Sequence, residues 1–327
     1  MQSAFLDFDS LGPADIDTSA LRATLPGIRV YGSTRPGEVD ARIAGCEILL
    51  VNKVDLDRRR LAAAAPALKL VVLAATGTDN VDLAAARELG IAVANIRSYA
   101  TPSVVQHVFG LVLALTLRLE EYRLLLQAGA WERSPHFCLL DYPTRELSGR
   151  TLGIVGYGQL GQAVAAVGRA FGMRVVAARS LRQAPGISRA PDPVPVDRLE
   201  LPEVLATADV VSLHCPLTPA TRHLINGESL AHLRRDALLI NTARGDLVDS
   251  IALLDALRGG RLGGAGIDVL AEEPPVGGHP LLEARLPNLI VTPHIAWAAR
   301  ESRQRALDEV VGNVRAFLSG GQRNRVA

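Results

Sequence analysis

The run Thr151-Leu152-Gly153-Ile154-Val155-Gly156-Tyr157-Gly158-Gln159-Leu160-Gly161 constrains the fold more than any other part of the chain. Its apolar-rich opening suits a buried strand, and Gly156 permits a tight turn out of that strand. Gly158 puts no side chain in the way of a pyrophosphate, and Gly161 lets the next helix pack close to the sheet. The helix predicted over residues 159–171 would turn free N–H groups and the positive end of its dipole toward the anion. A second strand, predicted over 172–178, completes the opening of a doubly wound dinucleotide-binding sheet.

At the end of that second strand, where an acidic residue would bind the ribose 2′-hydroxyl of NAD, stands Arg179. A guanidinium can bind a 2′-phosphate bidentately where a carboxylate would repel it, and Ser180 and Arg182 follow closely in sequence. The expected cofactor is therefore NADPH in preference to NADH. The lesser alternative is that the cluster is only a solvated loop.

A chain of 327 residues is long enough for two domains, each with its own core. A net charge of +1 gives no electrostatic footprint for nucleic acid or an anionic membrane surface. The cysteines, Cys46, Cys138 and Cys215, stand far apart and outside any C-x-x-C pattern, so neither a disulfide framework nor a zinc site is expected. The first residues lack the basic and apolar regions of a secretory leader, and no run has the ~18 uninterrupted apolar residues of a membrane span. A soluble, cytoplasmic protein without a metal is the expectation.

Short β-prone runs at 4–8, 28–31, 47–51, 70–74 and 91–94 alternate with helical patterns at 56–64 and 83–89, which predicts parallel β/α units. A long apolar helix is predicted over 103–117 and a second to about residue 128, before an irregular stretch over 131–146. Further strands are expected at 209–214, 237–242, 264–269 and 289–292, and a last helix at about 300–318. The fold class is α/β, with two doubly wound parallel-sheet domains. A Rossmann domain over 101–294 is inserted into a smaller flavodoxin-like substrate domain over 1–100 and 295–327. Residues 183–195 read as an ordinary loop, and 320–327 are expected to fray.

Three charged residues fall just past predicted strands of the dinucleotide half, where open α/β sheets hold their ligands. Arg244, in Asn241-Thr242-Ala243-Arg244-Gly245, offers a fork of donors suited to a carboxylate, although alone it could be a surface ion-pair partner. Glu273, before Pro274-Pro275, and His294, in Pro293-His294-Ile295-Ala296, supply a carboxylate and a group able to exchange a proton at physiological pH. Hydride transfer to a carbonyl needs such a donor, because charge grows on oxygen as hydride reaches carbon. His107, His136, His223, His232 and His279 are read as structural.

Taken in order, these motifs resemble the D-2-hydroxyacid dehydrogenases. The glycine turn is followed by His214-Cys215-Pro216-Leu217-Thr218-Pro219, then by the motifs around Arg244, Glu273 and His294. Ala75-Thr76-Gly77-Thr78-Asp79-Asn80-Val81-Asp82 resembles the family's first-domain substrate loop, so the likeness covers nearly the whole chain. Asn52-Lys53-Val54 and residues 137–142 are most similar to the glycerate dehydrogenase, or hydroxypyruvate reductase, branch.

The resemblance implies reduction of a small 2-oxo acid, with Arg244 as substrate clamp, His294 as acid/base and Glu273 as its partner. It assigns Thr76 and Gly77 to the substrate carboxylate, and Gln159 and Leu160 to the pyrophosphate beside Gly156, Gly158 and Gly161. Cys215, Thr242, Ala243 and Asp268 fall at cofactor-contacting positions, Asp268 near the nicotinamide carboxamide. It also implies a homodimer, with the long apolar helix and residues 131–142 facing the partner. Phosphite and 3-phosphoglycerate dehydrogenases share the scaffold, whereas the formate branch has glutamine where this chain has Glu273. A dinucleotide-sensing corepressor is the alternative from another class.

Overall fold

Strands that are apolar at every position belong inside a parallel sheet covered on both faces. In a computed structural model of the chain, which describes residues 1–12, 15–180 and 194–327, two such sheets form. Arg182 and most of the loop expected over 183–195 lie outside the described residues. The chain divides into two compact units, Met1–Ala100 with Trp297–Ala327, and Thr101–Ala296.

The first unit holds β1 (Ser3–Phe5), β2 (Arg29–Val30), β3 (Ile48–Val51), β4 (Leu70–Leu73) and β5 (Ala92–Ala94). All are parallel, in the order β2-β1-β3-β4-β5, the flavodoxin-like arrangement. β3 and β4 are buried along their whole length. Helices Arg58–Ala64 and Leu83–Glu88 start at Asp57 and Asp82, whose carboxylates accept the N–H of Arg60 and Ala85. Leu307, Val310, Val311 and Val314 of the Arg300–Leu318 helix complete the core.

Two expectations are corrected in this unit. The first strand stops at Phe5 rather than continuing to residue 8, because the Asp7 carboxylate accepts the N–H groups of Asn52, Lys53 and Val54 and draws the chain out of the sheet. Burial raises the Asp7 pKa, opposed by those three amides. The last residues do not fray: Val326 donates its N–H to the Val93 carbonyl at 2.8 Å, and Arg325 bridges antiparallel to Ala94. They cover the outer edge of β5, and Arg87 Nη2 binds the Val326 carbonyl.

The second unit holds β6 (Thr151–Val155), β7 (Arg174–Ala178), β8 (Asp197–Leu199), β9 (Val210–Leu213), β10 (Leu238–Asn241), β11 (Gly264–Ile267) and β12 (Leu289–Val291). Their order is β12-β11-β10-β9-β6-β7-β8, so the order reverses between β6 and β9. Ligands of doubly wound sheets bind outside the strand ends at such a reversal. The apolar Thr101–Thr116 helix is buried within this unit through Val104, Val105, Val108, Phe109, Leu111, Val112 and Leu115. Glycines in β11 bring it close: a Cβ on Gly266 would stand 3.0 Å from Leu111 Cβ, and one on Gly264 would stand 3.3 Å from Leu115 Cδ2. Burying each large apolar side chain of this kind contributes about 1.5–3 kcal/mol. Among the described residues no single helix is long and apolar enough to cross a membrane.

Candidate active site

The glycine turn is built as its spacing requires. Gly156 sits at φ 99°, and a Cβ there would stand 2.5 Å from both Cys215 N and His214 C. A Cβ on Gly161 would run into the Gly156 carbonyl, so only glycine lets the Gln159–Ala170 helix begin this near the sheet. At Gly158, by contrast, a Cβ would meet nothing within 4 Å, which leaves room in front of the helix N-terminus. Gln159 and Leu160 open that helix.

Two nearby strand ends carry buried polar atoms that lack a protein partner, Thr242 Oγ1 past β10 and His214 Nδ1 past β9. Buried polar atoms left in that state suit a bound polar ligand. The open cradle at Gly158, the helix N-terminus and these atoms together fit a dinucleotide. His214 is partly exposed as a residue, but its Nδ1 is shut off from water and its Nε2 lies 2.9 Å from Ser212 Oγ. Burial pushes its pKa down to about 4, and pushes the neighbouring Cys215 thiol up to about 11.

Arg179 follows β7 directly and donates its N–H to the Leu199 carbonyl of β8. Its exposed guanidinium lies with Nε 3.2 Å from Glu200 Oε1, and Ser180 beside it is exposed. Glu200 was not anticipated, because β8 is a half-exposed Asp-Arg-Leu strand without an apolar signature. Its carboxylate reaches Arg179 only through the pairing of β8 with β7.

Arg244 ends the turn out of β10. Asn241, fully buried, grips that turn from both sides: its Oδ1 accepts the Ala243 N–H at 3.0 Å and its Nδ2 donates to the Arg244 carbonyl at 2.8 Å. Gly245 packs so tightly on the Leu270-Ala271 backbone that a side chain there would overlap it. The turns that carry Arg244 and Glu273 are therefore held against each other.

Glu273 and His294 are brought together. Glu273 Oε1 accepts the Leu270 N–H at 2.8 Å, and Oε2 lies 2.5 Å from His294 Nδ1. His294 adopts φ 54°, a left-handed conformation uncommon for a residue with a side chain. The Asp268 backbone carbonyl accepts the His294 N–H at 2.7 Å, and its carboxylate accepts the N–H groups of Ile295 and Ala296, each at 2.9 Å. Asp268 thus shapes the loop that bears the histidine, a task its sequence position did not reveal. In the first unit, Thr76 and Gly77 follow β4, and buried Asn95 binds the Thr76 carbonyl through Nδ2 at 2.8 Å. Among the described residues no cluster of His, Cys, Asp and Glu could hold a metal ion.

Comparison with known proteins gives one consistent outcome. The family described as "D-isomer specific 2-hydroxyacid dehydrogenase, NAD binding domain" matches residues 109–296. A glycerate dehydrogenase of Methylorubrum extorquens is 45% identical over 325 residues, covering 98% of each chain. A hydroxypyruvate reductase of Blautia hydrogenotrophica is 38% identical, covering 100% of this chain and 99% of its own. The crystal structure of a Thermus thermophilus protein superposes with a TM-score of 0.86 at 38% identity, each chain covered in full.

Proposed function

We propose that this chain, which belongs to the D-isomer specific 2-hydroxyacid dehydrogenases, reduces a small 2-oxo acid, hydroxypyruvate or glyoxylate, to the D-2-hydroxy acid or glycolate. The Glu273–His294 pair carries this reading, since a histidine held through Nδ1 by a carboxylate is a proton donor aimed by its other nitrogen. Relatives named for glycerate and hydroxypyruvate cover nearly the same length of chain.

Each residue then has a task. Bound in the reduced form, the nicotinamide dinucleotide supplies the hydride. Arg244 binds the substrate carboxylate and offsets the negative charge that grows on the carbonyl oxygen. Thr76 and Gly77, in the first unit, offer backbone N–H groups suited to a carboxylate. Glu273 stabilises the His294 imidazolium until its Nε2 proton passes to that carbonyl oxygen, which leaves a neutral imidazole. Orienting the carbonyl in this way can contribute several kcal/mol to lowering the barrier.

The dinucleotide is held at Gly156, Gly158, Gln159, Leu160 and Gly161, with Cys215, Thr242, Ala243 and Asp268 along its path. Arg179 and Ser180 favour NADPH over NADH. The enzyme works in the cytoplasm as a homodimer, a reading supported by the apolar side chains of Phe137 and Leu140, 90% and 85% exposed.

Initial rates with hydroxypyruvate, glyoxylate, pyruvate and phosphite, each against both dinucleotides, test the reaction. Turnover of hydroxypyruvate or glyoxylate is expected. Oxidation of phosphite alone, or dinucleotide binding without turnover, would overturn the assignment.

A further inference from the structure

The Thr101–Thr116 helix is apolar along most of its length, yet Ser103 and His107 stand four residues apart and so share one face. Both reach the segment that carries His294. Ser103 Oγ donates to the Ala296 carbonyl at 2.6 Å, and His107 Nε2 lies 2.9 Å from Thr292 Oγ1. Thr292 Oγ1 donates its one proton to Asp268 Oδ1 at 2.5 Å, so toward His107 it can only accept. His107 must therefore carry its hydrogen on Nε2, which also lies 3.4 Å from the same Asp268 oxygen.

The helix thus grips the loop on both sides of the histidine, at Thr292 before it and at Ala296 after it. Asp268 fills the space between, taking Thr292 on one side and the N–H groups of Ile295 and Ala296 on the other. His294 sits inside this frame at φ 54°, a conformation that persists only where its surroundings impose it. An apolar residue at either helix position would fill its space without desolvating a polar group, so the two polar side chains call for a reason other than core packing.

We propose that Ser103 and His107 form a two-point clamp, one turn apart on a buried helix, that sets the direction of the His294 imidazole. His107 is a positioning residue acting through Thr292 and Asp268. The catalytic consequence rests on the reading of His294 as proton donor, whereas the clamp itself is a property of the protein without ligands.

The test compares His107→Phe, which fills the site without a donor, with His107→Gln, whose side-chain N–H can reach Thr292, and with Ser103→Ala. With the dinucleotide-loaded enzyme, His107→Phe is expected to lower kcat about tenfold or more while leaving the KM for dinucleotide within about twofold. His107→Gln should recover most of that loss, and Ser103→Ala should lower kcat by less than His107→Phe. In parallel, hydrogen exchange at the Ile295 and Ala296 amides of the ligand-free protein should be faster in His107→Phe than in the parent or His107→Gln. The clamp is overturned by kcat within about twofold of the parent in His107→Phe, by a glutamine variant as impaired as the phenylalanine variant, or by unchanged amide exchange. A parent that turns over no 2-oxo acid would sink the catalytic reading alone, because exchange in the loop would still decide the clamp.

Discussion

Glu273 divides its carboxylate between two partners: Oε1 takes the Leu270 N–H at 2.8 Å, and Oε2 meets His294 Nδ1 at 2.5 Å. The backbone bond fixes the carboxylate, and the carboxylate fixes the imidazole. His294→Ala should lower kcat by roughly 100-fold or more with hydroxypyruvate as substrate. Glu273→Gln keeps an acceptor for Leu270 but removes the charge that stabilises an imidazolium, so a smaller loss of about tenfold is expected. Steady-state kinetics decide both, and near-normal turnover in His294→Ala would remove the histidine from the mechanism.

Arg179 and Glu200 pair at 3.2 Å on the exposed ends of β7 and β8. A 2′-phosphate would compete with Glu200 for the guanidinium and would be repelled by that carboxylate. Arg179→Asp exchanges the guanidinium for a second carboxylate and should weaken NADPH far more than NADH. Glu200→Gln should tighten NADPH about three- to tenfold and leave NADH nearly unchanged. Fluorescence titration of both dinucleotides measures this, and equal effects on the two cofactors would refute the assignment.

His214 is held down to about 4 by burial, against an ordinary value of 6.5 in the unfolded chain. Between those values the unfolded chain binds a proton that the folded protein refuses, so this group favours folding above pH ~6.5 and loses its contribution as pH falls toward 4. The loss is on the order of 2 kcal/mol. Urea unfolding at pH 7.5 and pH 4.5 should show a smaller drop in His214→Gln than in the parent. An equal drop would mean that the ring titrates freely.

The Cys215 thiol, pushed up to about 11 by burial, is protonated at pH 8 and so a poor nucleophile. Cys46 is fully buried, while Cys138 is partly exposed. Brief iodoacetamide treatment of the native protein should label Cys138 first, and peptide mass spectrometry reads the order. Rapid labelling of Cys215, itself partly exposed, would contradict its raised thiol pKa.

Much of this site was legible because its constraints are local. Gly156 and Gly161 are required by backbone approach, and the order of strand, turn and helix places them without tertiary information. The strand ends that carry Arg244, Glu273 and His294 were equally visible, since buried parallel strands are continuous apolar runs. What stayed hidden depends on contacts far apart in sequence. Glu200 reaches Arg179 through a three-residue strand with no apolar pattern, and Arg325 reaches Ala94 from the far end of the chain. His107 looked structural because nothing in its neighbourhood names Thr292 or Asp268 as its partners.

Gly266 lacks a side chain where Leu111 leans against β11, and that near contact seats the helix from which Ser103 and His107 reach the loop that bears His294. A single methyl group added there would lift the helix by a few tenths of an ångström. The displacement would be felt at both ends of the segment around His294. The floor of the sheet thus sets where the His294 loop rests, and a packing tolerance in β11 becomes a tolerance on the placement of that loop.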